Sequence, residues 1–227
     1  MNTKYKNMIA DYPERLFVRQ EEMNLMAAII SKVEPYYNLN DGAHKVSHAV
    51  DVMLLAMTLQ KATMKGVIGY YEDRRNIIAS ALLHDIFVHR GRASHETAAV
   101  FELNFGTLKD WFTQIIEEFK LDRNIVVDAI NEHRASYSGA YTSIISEYVS
   151  GADRGRPDID RLCKRVKSGT DATQDEHMID HIIEKFGREG YARWSDSYKL
   201  HFGSELRQMQ DTIGDRSRLT EIYGNQM

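Results

Sequence analysis

The sequence is poor in cysteine and proline, and it contains no long uninterrupted apolar run. A single cysteine, Cys163, excludes an internal disulfide in the 227 residues and is typical of a reducing compartment. Three prolines mark no linker, and no repeat or low-complexity tract divides the chain, so we expect one domain over residues 1–227. No run approaches the ~20 apolar residues that cross a bilayer, and the N-terminal segment lacks the apolar core of a signal peptide, which predicts a cytoplasmic protein without membrane contact.

The charge balance is slightly acidic. A formal net charge of −4 argues against a general nucleic-acid binder, because such proteins are usually basic, and we expect no nucleic-acid partner. The same net charge is compatible with a small anionic ligand, since binding of such a ligand depends on local charge.

Apolar residues recur with helical spacing, and no stretch alternates with the period of two that is typical of a strand. The sequence therefore predicts an all-α protein. Its N-terminal helix is expected over residues 13–34 and should end at Pro35, because proline has no N–H to donate to the preceding turn. Gly66 and Gly69 are expected to separate a second helix from a third.

Two residues are suited to begin later helices. Ser94 precedes the segment HETAAVFELNF and Asp122 precedes RNIVVDAINE, and both residue types favour the N-cap position. We expect a helical core over about residues 40–160, followed by a more polar helical extension over residues 160–227.

One stretch, residues 81–96 (ALLHDIFVHRGRASHE), carries two pairs of a histidine and an acid. His84-Asp85 ends an apolar run, and His95-Glu96 opens the next helix. An imidazole nitrogen beside a carboxylate oxygen suits a divalent cation. Burying an unpartnered Asp costs several kcal/mol, so Asp85 requires a cation or hydrogen bonds. The alternative, that Asp85 caps a neighbouring helix, leaves His84 without a role.

Further histidines and an aspartate follow the same placement. His44 and His48 share a face if the second helix starts near Ala43, His133 ends an apolar helix, and Asp153 lies where another helix ends. Each one alone is more typical of a surface, capping or helix-end residue. Their order along the chain, always at a helix start or end, favours convergence on one centre of a helical bundle.

Five segments in this order resemble the HD-domain superfamily of metal-dependent phosphohydrolases. They are HKVSHAVDVMLLAM, ALLHDI, SHETAAV, AINEHRAS and VSGADR, and they are most similar to small bacterial members that act on nucleotides. The resemblance spans residues 44–154. It implies an HD-type helical bundle with a C-terminal helical extension, and a hydrolase that cleaves a phosphoester or phosphoanhydride with a metal-activated water.

The resemblance also implies roles for individual residues. His44, His95 and His133 become candidates for proton transfer or substrate contact, and the last two become metal ligands if two ions bind. Glu96 is a candidate for orienting the attacking water or a ligand imidazole, and the alternative is a carboxylate that only favours a helix N-terminus. The ligands of a divalent ion, with Mn, Co, Ni, Mg, Zn and Fe all open, are expected to be His48, His84, Asp85 and Asp153.

Arginines stand beside these positions in the sequence. Arginine binds phosphate through two parallel hydrogen bonds, so a cluster beside a metal suits a phosphorylated substrate. The alternative is that they are solvated surface residues. We predict a small phosphorylated substrate, such as a nucleotide, that is bound by Arg90, Arg92, Arg134 and Arg154.

Two features depart from this interpretation or compete with it. Phe87 stands where many HD proteins have glycine, so the backbone after Asp85 is expected to run differently. His177 and His181 have ligand-like spacing, but their segment is polar, and we interpret them as surface or partner-helix residues. A role in covering the site or a partner stays open for Tyr191, Trp194 and Tyr198.

Two other functions remain open at this level. A site completed by His95 and His133 could hold two iron ions, as in HD-fold oxygenases. A non-catalytic module that binds a nucleotide is the third hypothesis, although such a module has no need of a full ligand set. Homo-oligomerisation through the C-terminal helices is compatible with the sequence but is not indicated by any particular motif.

Overall fold

A computed structural model describes residues 3–12, 16–63, 70–168 and 175–226. This part of the chain folds into α-helices and contains no strand, which confirms the all-α prediction. No helix in it is long and apolar enough to cross a membrane. The helices are α1 (Thr3–Ala10), α2 (Gln20–Tyr37), α3 (Val46–Thr63), α4 (Tyr70–Leu83), α5 (His95–Asn104), α6 (Lys109–Phe119), α7 (Arg123–Glu132), α8 (Ile144–Asp153), α9 (Ile159–Ser168), α10 (Asp175–Phe186), α11 (Asp196–Gly214) and α12 (Arg216–Gly224).

The third helix forms the centre of the bundle. Every residue of α3 from Val52 to Gln60 is buried, so this helix is covered on all sides instead of on one amphipathic face. It packs against α4 and α8, and α2 and α7 complete the layer around α4. The ends of α3, α4, α7 and α8 are therefore held by the core itself.

The C-terminal helices pack onto this core and not away from it. Helix α11 contacts α3 and α8, and α9 and α10 contact α11 and α12. The connection into α9 depends on Gly155, whose positive φ of 80° is a conformation that favours glycine. The hydroxyl of Tyr198 donates to the carbonyl of Gly155 at 2.6 Å, which fixes this turn against α11.

The bounds of the N-terminal helix differ from the prediction. Residues 13–15 lie outside the described residues, the chain from Leu16 to Arg19 is not helical, and α2 begins at Gln20. Pro35 lies inside the last turn and does not end the helix. A proline there removes only one backbone hydrogen bond near the end, and the final turn is anchored by the buried Tyr37, whose hydroxyl donates to the carbonyl of Leu82 at 3.2 Å.

The other local predictions have different outcomes. Asp122 caps α7 as predicted, because its side chain accepts hydrogen bonds from the N–H groups of Asn124 and Ile125. Ser94 is the N-cap residue of α5 but makes no side-chain capping bond. Gly66 and Gly69 lie outside the described residues.

Candidate metal centre

Six histidine and aspartate side chains converge at one end of the bundle, and each lies at or beside a helix terminus. The core holds the helices that carry them, so their backbones are fixed by packing. They are His48 in the first turn of α3, His84 and Asp85 directly after α4, His95 at the start of α5, His133 directly after α7, and Asp153 at the end of α8.

Four of these side chains form a first group of potential ligands. Asp85 Oδ2 lies 3.0 Å from His84 Nε2 and 3.6 Å from His48 Nε2. Asp153 Oδ1 lies 3.1 Å from His48 Nε2 and 3.6 Å from His84 Nε2. Two imidazole nitrogens and two carboxylate oxygens within 4.8 Å of one another are a donor set that suits a divalent transition metal.

The other oxygen of Asp85 belongs to a second group. Asp85 Oδ1 lies 3.0 Å from His95 Nε2 and 3.5 Å from His133 Nε2, and the two Nε2 atoms are 3.0 Å apart. These three side chains again offer ligand atoms within 4.8 Å of one another. Asp85 therefore connects two adjoining groups, with one carboxylate oxygen in each.

Backbone carbonyl groups set the tautomers of three of the histidines. In each case Nδ1 lies within hydrogen-bonding distance of the carbonyl oxygen three residues earlier, so Nδ1 carries the proton and Nε2 presents a lone pair to the centre. The distances are 2.8 Å from His84 to Ala81, 3.0 Å from His95 to Arg92, and 2.6 Å from His133 to Ile130.

This arrangement leaves acceptors facing acceptors, which is the observation that tests whether a metal fits. His84 Nε2 is buried and makes no hydrogen bond of acceptable geometry, although Asp85 Oδ2 lies 3.0 Å away. Nε2 of His95 and Nε2 of His133 face each other at 3.0 Å while their Nδ1 protons are bound to carbonyl groups. A cation between such buried acceptors stabilises the contact, so the residues fit a bound metal.

The pKa values in the first group show the same preference for positive charge. Burial acts to lower the pKa of His84, but the carboxylates of Asp85 and Asp153 outweigh it and raise this pKa to about 10. Burial also acts against ionisation of Asp85, yet the neighbouring imidazoles, His84 foremost, hold its pKa well below the usual range. Burial and the guanidinium of Arg165 lower the pKa of His48 to about 3, so this imidazole is neutral, the form that binds a metal.

Two buried polar side chains hold the ligands in place. The Asn40 amide donates to the backbone carbonyl of Asp85 at 2.8 Å, and its oxygen accepts the N–H of His89 at 2.9 Å. The guanidinium of Arg154 donates to the carbonyl of His133 at 2.9 Å and to Asp153 Oδ2 at 3.2 Å. Asn40 thus fixes the turn after Asp85, and Arg154 joins the ends of α7 and α8.

A cavity with a volume of about 380 Å³ lies above the carboxylates of Asp85 and Asp153. Its floor contains acceptors of both groups, and basic side chains line its walls. Helices α9 and α10 of the C-terminal extension contribute to these walls, so the extension takes part in the site. The basic and imidazole wall residues are His44, Arg92, Arg134, Arg165, His181 and Lys185.

Two predicted site residues lie at the rim of the ligand groups. His44 precedes α3 and is not part of it, since the helix begins at Val46 and not near Ala43. Its Nδ1 is 2.7 Å from Asp41 Oδ1, and its ring meets the ring of His48 edge to face. Glu96 Oε2 is 3.3 Å from His95 Nδ1, which places Glu96 beside a ligand imidazole.

The four predicted substrate-binding arginines occupy different places. Arg92 and Arg134 line the cavity, where Arg92 pairs with Asp41 and Arg134 pairs with Glu96. The structure does not bring the other two to this cavity: Arg90 is 44% exposed and pairs with Glu102 at 2.7 Å, and Arg154 is buried behind the ligands.

Three further cavity residues come from the C-terminal extension and were not predicted. Arg165 of α9 donates to the carbonyl of Asp153 at 2.9 Å and to His48 Nε2 at 3.1 Å. His181 and Lys185 of α10 line the wall, where His181 is half-buried, whereas His177 is exposed as expected. For His181 and Lys185 the sequence signal is their four-residue spacing, which places both on one helix face. Arg165 has no comparable signal.

The positions of two aromatic groups complete the site. Phe87 is fully buried, packs edge to face on Tyr36, and carries the Arg90 guanidinium above its ring, 4.1 Å from the ring centroid. The chain after Asp85 turns there into a short 3-10 helix at Val88–Arg90. Of the three C-terminal aromatic residues, Tyr191 lines the cavity, Trp194 packs between Phe186 and Tyr198, and Tyr198 is buried.

Comparison with known proteins agrees with this site. A profile of the HD-domain family matches residues 46–191, which is more than half of the chain and contains both ligand groups. Searches of curated proteins and of solved structures gave no match. The metal-binding geometry and the family match lead to one conclusion: the chain belongs to the HD-domain superfamily of metal-dependent phosphohydrolases.

Proposed function

We propose that the protein hydrolyses a phosphoester or phosphoanhydride bond of a nucleotide or a related phosphorylated small molecule. The observation that carries the proposal is the combination of a floor of metal-binding acceptors with walls of basic side chains in one cavity of 380 Å³. The floor attracts divalent cations, and the walls attract the phosphoryl oxygens of a substrate. The volume is within the range typical of sites for small molecules.

The two ligand groups support a site for two divalent ions. His48, His84 and Asp153 would hold one ion with Oδ2 of Asp85, and His95 and His133 would hold the other with Oδ1. Bound there, divalent ions polarise a phosphoryl oxygen and lower the pKa of water. Which of Mn, Co, Ni, Mg, Zn and Fe is the native metal depends on metal availability as well as on the ligands.

The chain's own residues have separate tasks in this proposal. Asp41 orients the His44 ring through Nδ1, and an imidazole held by a carboxylate at the cavity rim is suited to transfer a proton to a leaving group. Glu96 holds the Arg134 guanidinium in place and lies beside the His95 ring. Arg92, Arg134 and Arg165 position the substrate, so binding and electrostatic stabilisation contribute most of the rate.

Metal content and turnover test the proposal together. Protein purified without chelators is analysed for metals, and phosphate or pyrophosphate release is measured over a nucleotide panel with Mn, Co, Ni or Mg. We expect two ions per chain in the wild type, one in His95→Ala, and turnover that disappears with EDTA and returns with metal. Absence of turnover with every metal, together with nucleotide binding by calorimetry, would instead support the non-catalytic binding module.

The second ligand group also supports a second candidate, a di-iron oxygenase. Asp85, His95 and His133 complete a set of six ligands that would serve two iron ions as well as two other divalent ions. The basic cavity walls favour the hydrolase, because hydrolysis of a phosphorylated substrate uses them directly. Two irons per chain with substrate-dependent oxygen consumption, and no phosphate release, would decide for the oxygenase.

A further inference from the structure

One wall of the cavity is formed by a face of α10. His181 and Lys185 are four residues apart, so they lie one above the other on this helix, and both line the cavity. Tyr191, in the segment that follows α10, lines it as well. These residues belong to a different part of the cavity from the ligands, which lie at the ends of the core helices.

Lys185 differs from the other cations of the cavity in its partners. Arg92 pairs with Asp41 at 2.6 Å, Arg134 pairs with Glu96 at 3.0 Å, and Arg165 lies 3.6 Å from Asp153. Among the described residues, Lys185 is the cavity cation for which no carboxylate lies within salt-bridge distance.

The surroundings of Lys185 make an unpaired ammonium unfavourable. Burial is the main cause that lowers its pKa from 10.5 to about 8; the carboxylate of Asp153 acts to raise this pKa, and the guanidinium groups of Arg154, Arg165 and Arg92 act to lower it. Its Nζ lies 5.0 Å from the centroid of the Phe186 ring, so the side chain passes over an apolar surface. A half-buried cation that faces a cavity and has no carboxylate within salt-bridge distance gains from binding an anion there.

We propose that Lys185 and His181 form a second anion subsite, which binds a phosphoryl group other than the one bound at the metal-ligand floor. The substrate then carries at least two linked phosphoryl groups, as a nucleoside diphosphate or triphosphate does. The inference rests on the proposed hydrolase function and adds the substrate class to it. In the reaction, water attacks the phosphorus of the phosphoryl group bound at the floor and gives up a proton. The P–O bond to the departing group breaks, and the departing group takes up a proton.

Calorimetry with two probes tests the subsite on the metal-loaded protein. Inorganic phosphate reports binding at the floor, and imidodiphosphate, whose P–N–P link replaces the hydrolysable P–O–P link, reports binding at both positions. We expect Lys185→Met to weaken imidodiphosphate binding by about tenfold or more and to change phosphate binding by less than about twofold. His181→Asn should weaken imidodiphosphate in the same direction by a smaller factor.

Matched controls are an exposed lysine and an exposed histidine that do not line the cavity. Lys199→Met changes an exposed lysine of α11, and His177→Asn changes the exposed histidine one turn before His181; both should leave binding unchanged. Metal content and thermal unfolding check that each variant is folded and loaded. If Lys185→Met does not fold, Lys185→Arg keeps the charge and should retain imidodiphosphate binding, whereas Lys185→Gln should lose it.

The outcomes separate the subsite from the proposed function. If phosphate binds but imidodiphosphate binds no more tightly, or if Lys185→Met weakens both probes equally, the subsite is wrong and the hydrolase proposal is unaffected. If neither probe binds the metal-loaded wild type, both proposals are wrong. A preference for imidodiphosphate that depends on Lys185 supports the subsite.

Discussion

The floor and the wall of the cavity are built in different ways. The floor consists of side chains at the ends of core helices, and three of its four histidines, His84, His95 and His133, are held by carbonyl groups three residues earlier in the chain. One part of the wall consists of side chains on α9 and α10, whose positions depend on packing of the C-terminal helices over the core. Short local motifs therefore determine the floor, and long-range packing determines this part of the wall, so substitutions in the two regions should affect different steps.

The largest effect is expected at the floor, from Asp85→Ala. This change removes an oxygen from both ligand groups, so we expect loss of bound metal and, since metal catalysis is worth several kcal/mol, a fall in kcat of roughly 10³-fold or more. Metal analysis and phosphate release measure the two losses. Asp51→Ala is the matched control, because Asp51 pairs with Arg161 at 2.6 Å outside the ligand groups; a retained metal content in Asp85→Ala would contradict the role of the floor.

The floor could be predicted from the sequence because each ligand stands beside an apolar helical run. His84 and Asp85 follow the run Ala79 to Leu83, and the burial of that run carries the pair into the interior. The all-α fold follows from the same periodicity. The helix end predicted at Pro35 is wrong, because the burial of Tyr37 outweighs the hydrogen bond lost at the proline.

The wall could not be predicted in the same way. Helix α10 meets the core with an apolar face that contains Ile179, Ile182 and Phe186, but its sequence does not indicate that the neighbouring polar residues His181 and Lys185 border a cavity. The polar segment around His177 and His181 indicated surface or partner-helix residues, yet packing turns His181 and Lys185 toward the cavity and leaves His177 exposed. Arg165 lies in the similarly polar segment RLCKRVKS, which carries no motif of its own.

The second prediction concerns Arg154, which the sequence assigned to the substrate and the structure places behind the floor. Arg154→Met should weaken metal affinity by roughly 10- to 100-fold, because partners of metal ligands contribute about this much, and should leave KM for substrate at saturating metal nearly unchanged. Metal titration and KM measurements distinguish the two roles. A raised KM with unchanged metal affinity would restore the substrate-binding role.

A buried arginine also contributes to stability, so this prediction requires a control. Arg74 is as buried as Arg154 and pairs with Glu22 at 2.9 Å, in the contact between α4 and α2. Removing one partner of a buried ion pair costs about 3–5 kcal/mol, so Arg74→Met should lower the free energy of unfolding without changing metal affinity. Arg154→Lys retains the charge and provides a folded variant if the methionine variant unfolds.

The third prediction uses the pH dependence of the wall. A lysine whose pKa is lowered to about 8 is charged below that pH, so anion binding should weaken as the pH rises through 8, with KM rising roughly tenfold between pH 7 and pH 9. In Lys185→Met this rise should disappear, and a rise that persists would assign it to another group. The charged and titratable groups around Lys185 are Arg92, Asp153, Arg154, Arg165 and His181.

The smallest effect is expected from Arg90→Ala. Arg90 follows the ligand pair closely in sequence, yet its guanidinium lies over Phe87 and pairs with Glu102 away from the cavity lining. An exposed ion pair contributes about 0–1 kcal/mol, so stability should fall slightly and KM should change by less than about twofold. Arg92→Ala is the informative comparison, because Arg92 lines the cavity and its loss should raise KM several-fold by the same assay. Equal effects of the two substitutions would mean that closeness in sequence to the ligands, and not position in the wall, determines substrate binding.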